Sequence, residues 1–187
     1  MINYDLITKR AAGLKQRYGT AGPREILEDC GVAVLDMPMG TREDAIKGFI
    51  LKNSRMVTVG VNADLSAGVQ SNVLFHELGH YDLGHLSRFR SGTLRDTSFS
   101  YRPDASVLSK LENEANFYAS DYILDTDETL EAVHAYDLTS AARVLRVPVE
   151  FLDYKLRLLY HTGKLDRYRD FLSVRSDCMK TITDAGP

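Results

Sequence analysis

HELGHYDLGH, residues 76 to 85, places three of the chain's five histidines within ten positions. On an α-helix, residues four apart lie one turn apart on the same face, so His76 and His80 can aim ring nitrogens at a single ion. Glu77, beside the first of them, offers a carboxylate that can take a proton from an attacking water. A tetrahedral zinc site of this kind uses two histidines and a third protein ligand, and keeps its fourth position open. By composition alone, HExxH arises in roughly one chain of this length in a few hundred. Here it also lies in a helix-compatible stretch, Leu65 to about Gly84, that follows a strand, which is the setting the chemistry requires. The plain alternative is a pair of unrelated surface or core histidines. The expectation is a metal site, with one zinc ion per chain.

His85 looks at first like the third ligand. In the HExxHxxGxxH arrangement, glycine and histidine stand three and six residues beyond the second ligand; here Gly84 and His85 stand four and five beyond His80. A continuous helix would aim His85 well over 90° away from the His76/His80 face. It therefore reads as a surface histidine, or as one that braces a ligand from behind. The other common donor is a glutamate from a later helix. From Ser106, the apolar residues Val107, Leu108, Leu111, Ala115, Tyr118, Ala119 and Tyr122 share one helical face. Glu112 and Glu114 flank that stripe, one on each side, so burial alone does not choose between them. Two details favour Glu112. Asn116 lies one turn on, where its amide could hydrogen-bond a ligand histidine. Ala115 and Ala119 leave room for a close helix approach, whereas Tyr118 crowds Glu114. For either glutamate the plain alternative is a solvated helix edge.

The rest of the chain reads as α+β. Helices are expected at 4–18, from Pro23 to a stop at Gly31, and at about 127–135, 138–145 and 148–162, with Pro148 opening the last. VAVLDM is a short strand, and IKGFIL and MVTVGVN form a hairpin across KNSR. Residues 86–105 read as a long loop rich in Ser and Arg, with a brief strand at TSFSY. The composition, 44% hydrophobic and 26% charged, supports a real core. A net charge of −3 gives no general case for nucleic acid or anionic membrane. Cys30 and Cys178 are too few and too far apart for a disulfide framework. With no apolar leader segment and no membrane-length apolar run, a cytoplasmic location is expected.

A strand ending in Asn62, then VLFHELGHY, LENEANFYASDYIL and VPVEFLDYKLRLL, together resemble the ImmA/IrrE family of metallopeptidases. The likeness is greatest to the ImmA-type proteases of mobile elements and prophages, and covers about residues 20 to 160. It implies a zincin-like, gluzincin-like α+β fold with His76, His80 and a glutamate on zinc and Glu77 as general base. The family's first glutamate in its E-x-x-A segment corresponds to Glu112. The resemblance also implies a protein substrate, a cognate helix-turn-helix repressor often encoded alongside. In two places the chain departs from the family pattern: Gly84 stands where many members have histidine, and YILDTDE lacks the usual proline.

On this basis residues 1–126 are expected to form the zincin-like metallopeptidase core, 127–165 a helical, helix-turn-helix-like cap, and 166–187 a tail. The strand MVTVGVN could offer an edge to an extended peptide or lie inside the sheet. Arg88, Arg90, Arg95 and Arg102 could meet an acidic partner, and Tyr101, Tyr154 and Tyr160 are candidate oxyanion donors. A rival reading makes residues 138–164 the DNA-reading part of a regulator with a vestigial metal site, using Arg143, Arg146, Lys155, Arg157 and Lys164. The simpler reading of that segment is a packed helical cap, with nucleic acid not a partner.

Overall fold

The computed structural model describes residues 2–42, 44–53, 56–88, 92–96 and 107–165. The expected strand at TSFSY, Arg90, Arg102, Tyr101 and the tail from Asp166 lie outside them, as do the side chains of Arg88 and Arg95.

Local signals start most helices. Helix α1 (Tyr4–Tyr18) is capped by Asn3, whose side chain accepts from the Leu6 amide at 3.0 Å. Helix α2 (Pro23–Asp29) opens on a proline, whose missing N–H costs nothing in a first turn. Strand β1 (Ala33–Met37) follows, then the hairpin of β2 (Gly48–Asn53) and β3 (Met56–Asn62). The HExxH segment lies in α3 (Ala67–Asp82). Within the stretch expected to be a loop, residues His85–Arg88 make a 3-10 turn and Gly92–Asp96 form strand β4. Helix α4 (Val107–Ile123) carries both candidate glutamates, and α5 (Thr126–Ala135), α6 (Leu138–Val144) and α7 (Val149–His161) complete the chain. Asp125 and Asp137 cap α5 and α6.

The sheet order is β1-β3-β2-β4, with β1 parallel to β3 and the other pairs antiparallel. MVTVGVN is therefore interior, flanked on both sides, and the reading of it as a free edge is corrected: among the described residues, β1 and β4 are the edges. Asn62 fixes the end of β3. Its amide donates to the carbonyls of Gly40 and Ile46, and its oxygen accepts from the amides of Met39 and Asp64, so these residues are tied to the end of β3.

Helix α3 lies between the sheet and α4, and is buried from Asn72 to His80 apart from Phe75. Two glycines allow its close approach to both. A Cβ on Gly48 of β2 would stand 2.3 Å from Val73 Cγ1, and one on Gly79 would stand 3.0 Å from the Ala115 carbonyl oxygen. One apolar core joins α1, α2, the sheet, α3 and α4; a second joins α5, α6 and α7. Helix α7 serves both, with Phe151, Tyr154 and Leu158 facing the first and Leu152, Leu156 and Leu159 the second. These two stripes at helical spacing give the segment its apolar rhythm.

That packing bears directly on the DNA-reading alternative. Lys155 is 2% exposed and ion-paired with Asp121 at 2.7 Å, and Arg157 is buried against Asp153. A helix that enters a DNA groove must present a free basic face, and two of the five cations counted for that role are committed to the interior. Among the described residues, no helix is long and apolar enough to cross a membrane.

Candidate metal centre

Helical spacing brings His76 and His80 to one face of α3, and their Nε2 atoms lie 3.0 Å apart. Helix α4 crosses at Gly79 and Ala115 and delivers Glu112, whose Oε2 is 3.3 Å from His76 Nε2 and 3.6 Å from His80 Nε2. A regular tetrahedron with bonds of about 2.0–2.2 Å has edges of about 3.3–3.6 Å. The observed triangle has nearly that size, and these three residues form a group able to hold a metal ion.

The proton positions support the fit. Tyr154 donates to Asn113 Oδ1 at 2.8 Å and accepts from Asn116 Nδ2 at 3.3 Å. Asn116 therefore turns its oxygen to His76 Nδ1, 2.7 Å away, and that nitrogen carries the proton. The Nε2 of His76 is left with a lone pair. Burial, partly offset by Glu112 and reinforced by His76 and His85, lowers the His80 pKa to about 4, so this ring is neutral near pH 7. Burial also acts to raise Glu112, but the two rings 3.3 and 3.6 Å from its Oε2 outweigh it and hold the carboxyl far below the usual range: without a metal, a ring proton between nitrogen and carboxylate stands where a cation would sit. A carboxylate and two imidazole Nε2 atoms thus converge in the interior, a donor set that a cation would satisfy.

Glu77 is buried on the sheet side of α3, and a Cβ on Gly48 would come within 3.2 Å of its Oε1. Its carboxylate is therefore set close to the start of β2, on the residue that follows His76 in the helix. His85 is buried too, at 1% exposure, but not among the three converging atoms. Helix α3 stops at Asp82 and Gly84 takes φ +71°, a left-handed turn that redirects the chain. His85 consequently points back, with Nδ1 2.9 Å from His80 Nδ1 and Nε2 3.3 Å from Glu114 Oε2. Glu112 and Glu114 are equally buried, at 7% each, and are separated only by what they meet. Of the candidate tyrosines, Tyr154 is fully buried behind Asn116, whose amide its hydroxyl accepts from.

Sequence reasoning read His85 as a surface histidine or a brace behind a ligand, but did not single out Gly48, Asn113 or the pairing of His85 with Glu114. The signal for that pairing was Gly84 immediately before the histidine, a break that could redirect it.

An α+β fold with a sheet-packed HExxH helix and a glutamate from the next helix defines a zincin-like protein. The model of peptidase family M78, the IrrE N-terminal-like domain, matches residues 27–157, and the chain belongs to this family. No curated protein and no solved structure matches the chain. Family membership makes metal-dependent peptide hydrolysis the activity to be accounted for.

Proposed function

We propose that the protein is a zinc endopeptidase of the His2Glu type, cytoplasmic, that cuts a cognate helix-turn-helix repressor of a mobile element or prophage. The observation that carries the catalytic part is the convergence of His76 Nε2, His80 Nε2 and Glu112 Oε2 beside the buried Glu77. Zinc is the fitting ion for two imidazoles and one carboxylate at tetrahedral spacing, and when bound it would supply an acidified water and a polarised peptide carbonyl. Glu77 takes the water proton on its carboxylate as the water oxygen bonds to the carbonyl carbon. It then returns the proton to the amide nitrogen as the C–N bond breaks. Asn116 holds His76 in the tautomer that presents Nε2.

An extended substrate needs a free strand edge. Strand β2 begins at Gly48, next to Glu77, and Gly48 pairs with Asp96 of β4. Among the described residues strand β4 is thus the sheet edge next to β2, which favours it over β3 for main-chain pairing. The two apolar cores support the division into a peptidase core at 1–126 and a helical cap at 127–165.

The repressor as substrate rests on the resemblance to ImmA-type proteases. Incubation with the helix-turn-helix protein encoded by the adjacent reading frame tests it. The expected result is a discrete cut that is lost on chelation and in Glu77→Gln. A repressor left intact by the zinc-loaded protein would remove that substrate.

A further inference from the structure

Behind the two histidines lie two different supports. His76 leans on neutral groups, Asn116 and then Tyr154. His80 leans on His85, which leans on the Glu114 carboxylate, which in turn has Lys110 Nζ 3.6 Å from its other oxygen. We propose that His85 and Glu114 form a positioning relay that fixes the tautomer and orientation of His80 and lends it negative charge. The inference rests on the metal-centre reading above.

The chain of protons has one consistent solution. To present a lone pair on Nε2, His80 must carry its proton on Nδ1. That proton faces His85 Nδ1 at 2.9 Å, so His85 Nδ1 must accept. A neutral His85 then carries its proton on Nε2, which faces Glu114 Oε2 at 3.3 Å and needs an acceptor there. The opposite orientation, with His85 Nδ1 donating, would put the His80 proton on Nε2 and close that nitrogen to a metal. Glu114 thus selects the binding-competent arrangement from two rings away. Its carboxylate adds an anion to a cluster that already holds Glu112 and must accommodate a dication, and a ring hydrogen-bonded towards an anion is the stronger donor. Lys110 is on the same helix, one turn before Glu114, and fixes the outer oxygen near solvent.

The geometry that makes this possible is the pair Gly84–His85. The left-handed turn at Gly84 puts His85 one residue later than an unbroken helix could use, and Ser87 locks the turn by donating to the Gly84 carbonyl at 2.6 Å. Helix α4 supplies the third ligand from Glu112 and, two residues on, the anchor of the relay from Glu114. This makes α4 the scaffold for both ends of the site.

The test is a double-mutant cycle on metal affinity, read by chelator competition for zinc and by the visible spectrum of the cobalt(II) form, with far-UV circular dichroism as the control for folding. His85→Ala should weaken zinc binding about 10–100-fold, the range for groups that orient a ligand, and should change the cobalt spectrum. Glu114→Gln keeps shape but removes charge, and should weaken binding by less. In the His85→Ala background, Glu114→Gln should have no further effect, because its influence passes through His85. His85→Asn, which can return an acceptor near the Nδ1 position, should recover part of the affinity. Additive losses, or wild-type affinity and spectrum in folded His85→Ala, would overturn the relay. Those outcomes differ from failure of the metal centre itself, in which the unaltered protein would bind neither ion at the His76/His80 pair and His80→Ala would change nothing.

Discussion

Glu77 and Glu112 are both buried carboxylates near the same two histidines, yet they are assigned opposite tasks. Glu112 meets two Nε2 atoms within 3.6 Å, whereas Glu77 faces the start of β2. Glu77→Gln should therefore keep one zinc per chain and lower kcat about 10²–10⁴-fold, as expected for loss of a general base. Glu112→Gln should weaken zinc binding by more than about 100-fold, beyond what loss of an orienting group costs. If metal content is normal in Glu112→Gln and lost in Glu114→Gln, the ligand assignment is wrong. His80 adds a pH dependence. Its folded pKa, about 4, is below the unfolded value of about 6.5, so the unfolded state binds more protons in that window. The chelated protein should lose stability as pH falls from 6.5 towards 4, by up to about 1.4 kcal/mol per pH unit. Glu112, held below its ordinary range, extends the loss to lower pH. Denaturant titrations of chelated wild type and His80→Gln should differ in that slope. Equal slopes would show that His80 is not buried neutral.

At the scale of elements, α3 and α4 act as one unit because glycine and alanine let their backbones meet. The close approach at Gly79 leaves little room for a methyl group: a Cβ would sit 3.0 and 3.1 Å from Ala115 backbone atoms, which would have to give by a few tenths of an ångström and cannot swing aside as a side-chain tip would. Gly79→Ala gains about 1 kcal/mol of helix propensity but forces the helices apart, and overpacking typically costs 1–3 kcal/mol. The expected outcome is a protein no more stable than wild type, with weaker zinc binding because Glu112 moves away with α4. Unchanged zinc affinity with raised stability would mean that the approach is slack. The periodicity of these helices, and the glutamate one turn before Asn116, were legible in the sequence because they follow the 3.6-residue repeat. The inward turn of His85 was not, since it depends on the conformation of one glycine. Nor was the placement of β3, because MVTVGVN is apolar enough for either an edge or an interior strand, and pairing order is a property of the whole sheet. The burial of Lys155 was hidden for a similar reason: a lysine on a helix reads as solvated until a partner such as Asp121 is brought to it.

For the molecule as a whole, the metal centre joins the sheet-bound α3 to α4, and α4 in turn packs on α1 and α7. Metal binding should therefore stabilise the entire fold. At a free zinc concentration 100 times the Kd, the gain is about 2.7 kcal/mol, which raises Tm by about 5–10 °C in a chain of this size. Chelation should reverse it, and a Tm indifferent to chelator would deny the coupling. The same packing argues against DNA reading by α7. A mobility-shift titration should show no specific, salt-sensitive complex, and a specific complex unaffected by Glu77→Gln would restore the regulator reading. The central claim is that His76, His80 and Glu112 hold a zinc ion which Glu77 turns to peptide hydrolysis. Native mass spectrometry of wild-type and Glu77→Gln protein, each incubated with the same mixed peptide substrates, tests it directly. Both proteins should carry one zinc ion, and only the wild type should generate cut peptides. Cleavage of equal extent by Glu77→Gln, or a wild-type protein that cuts without bound metal, would contradict it.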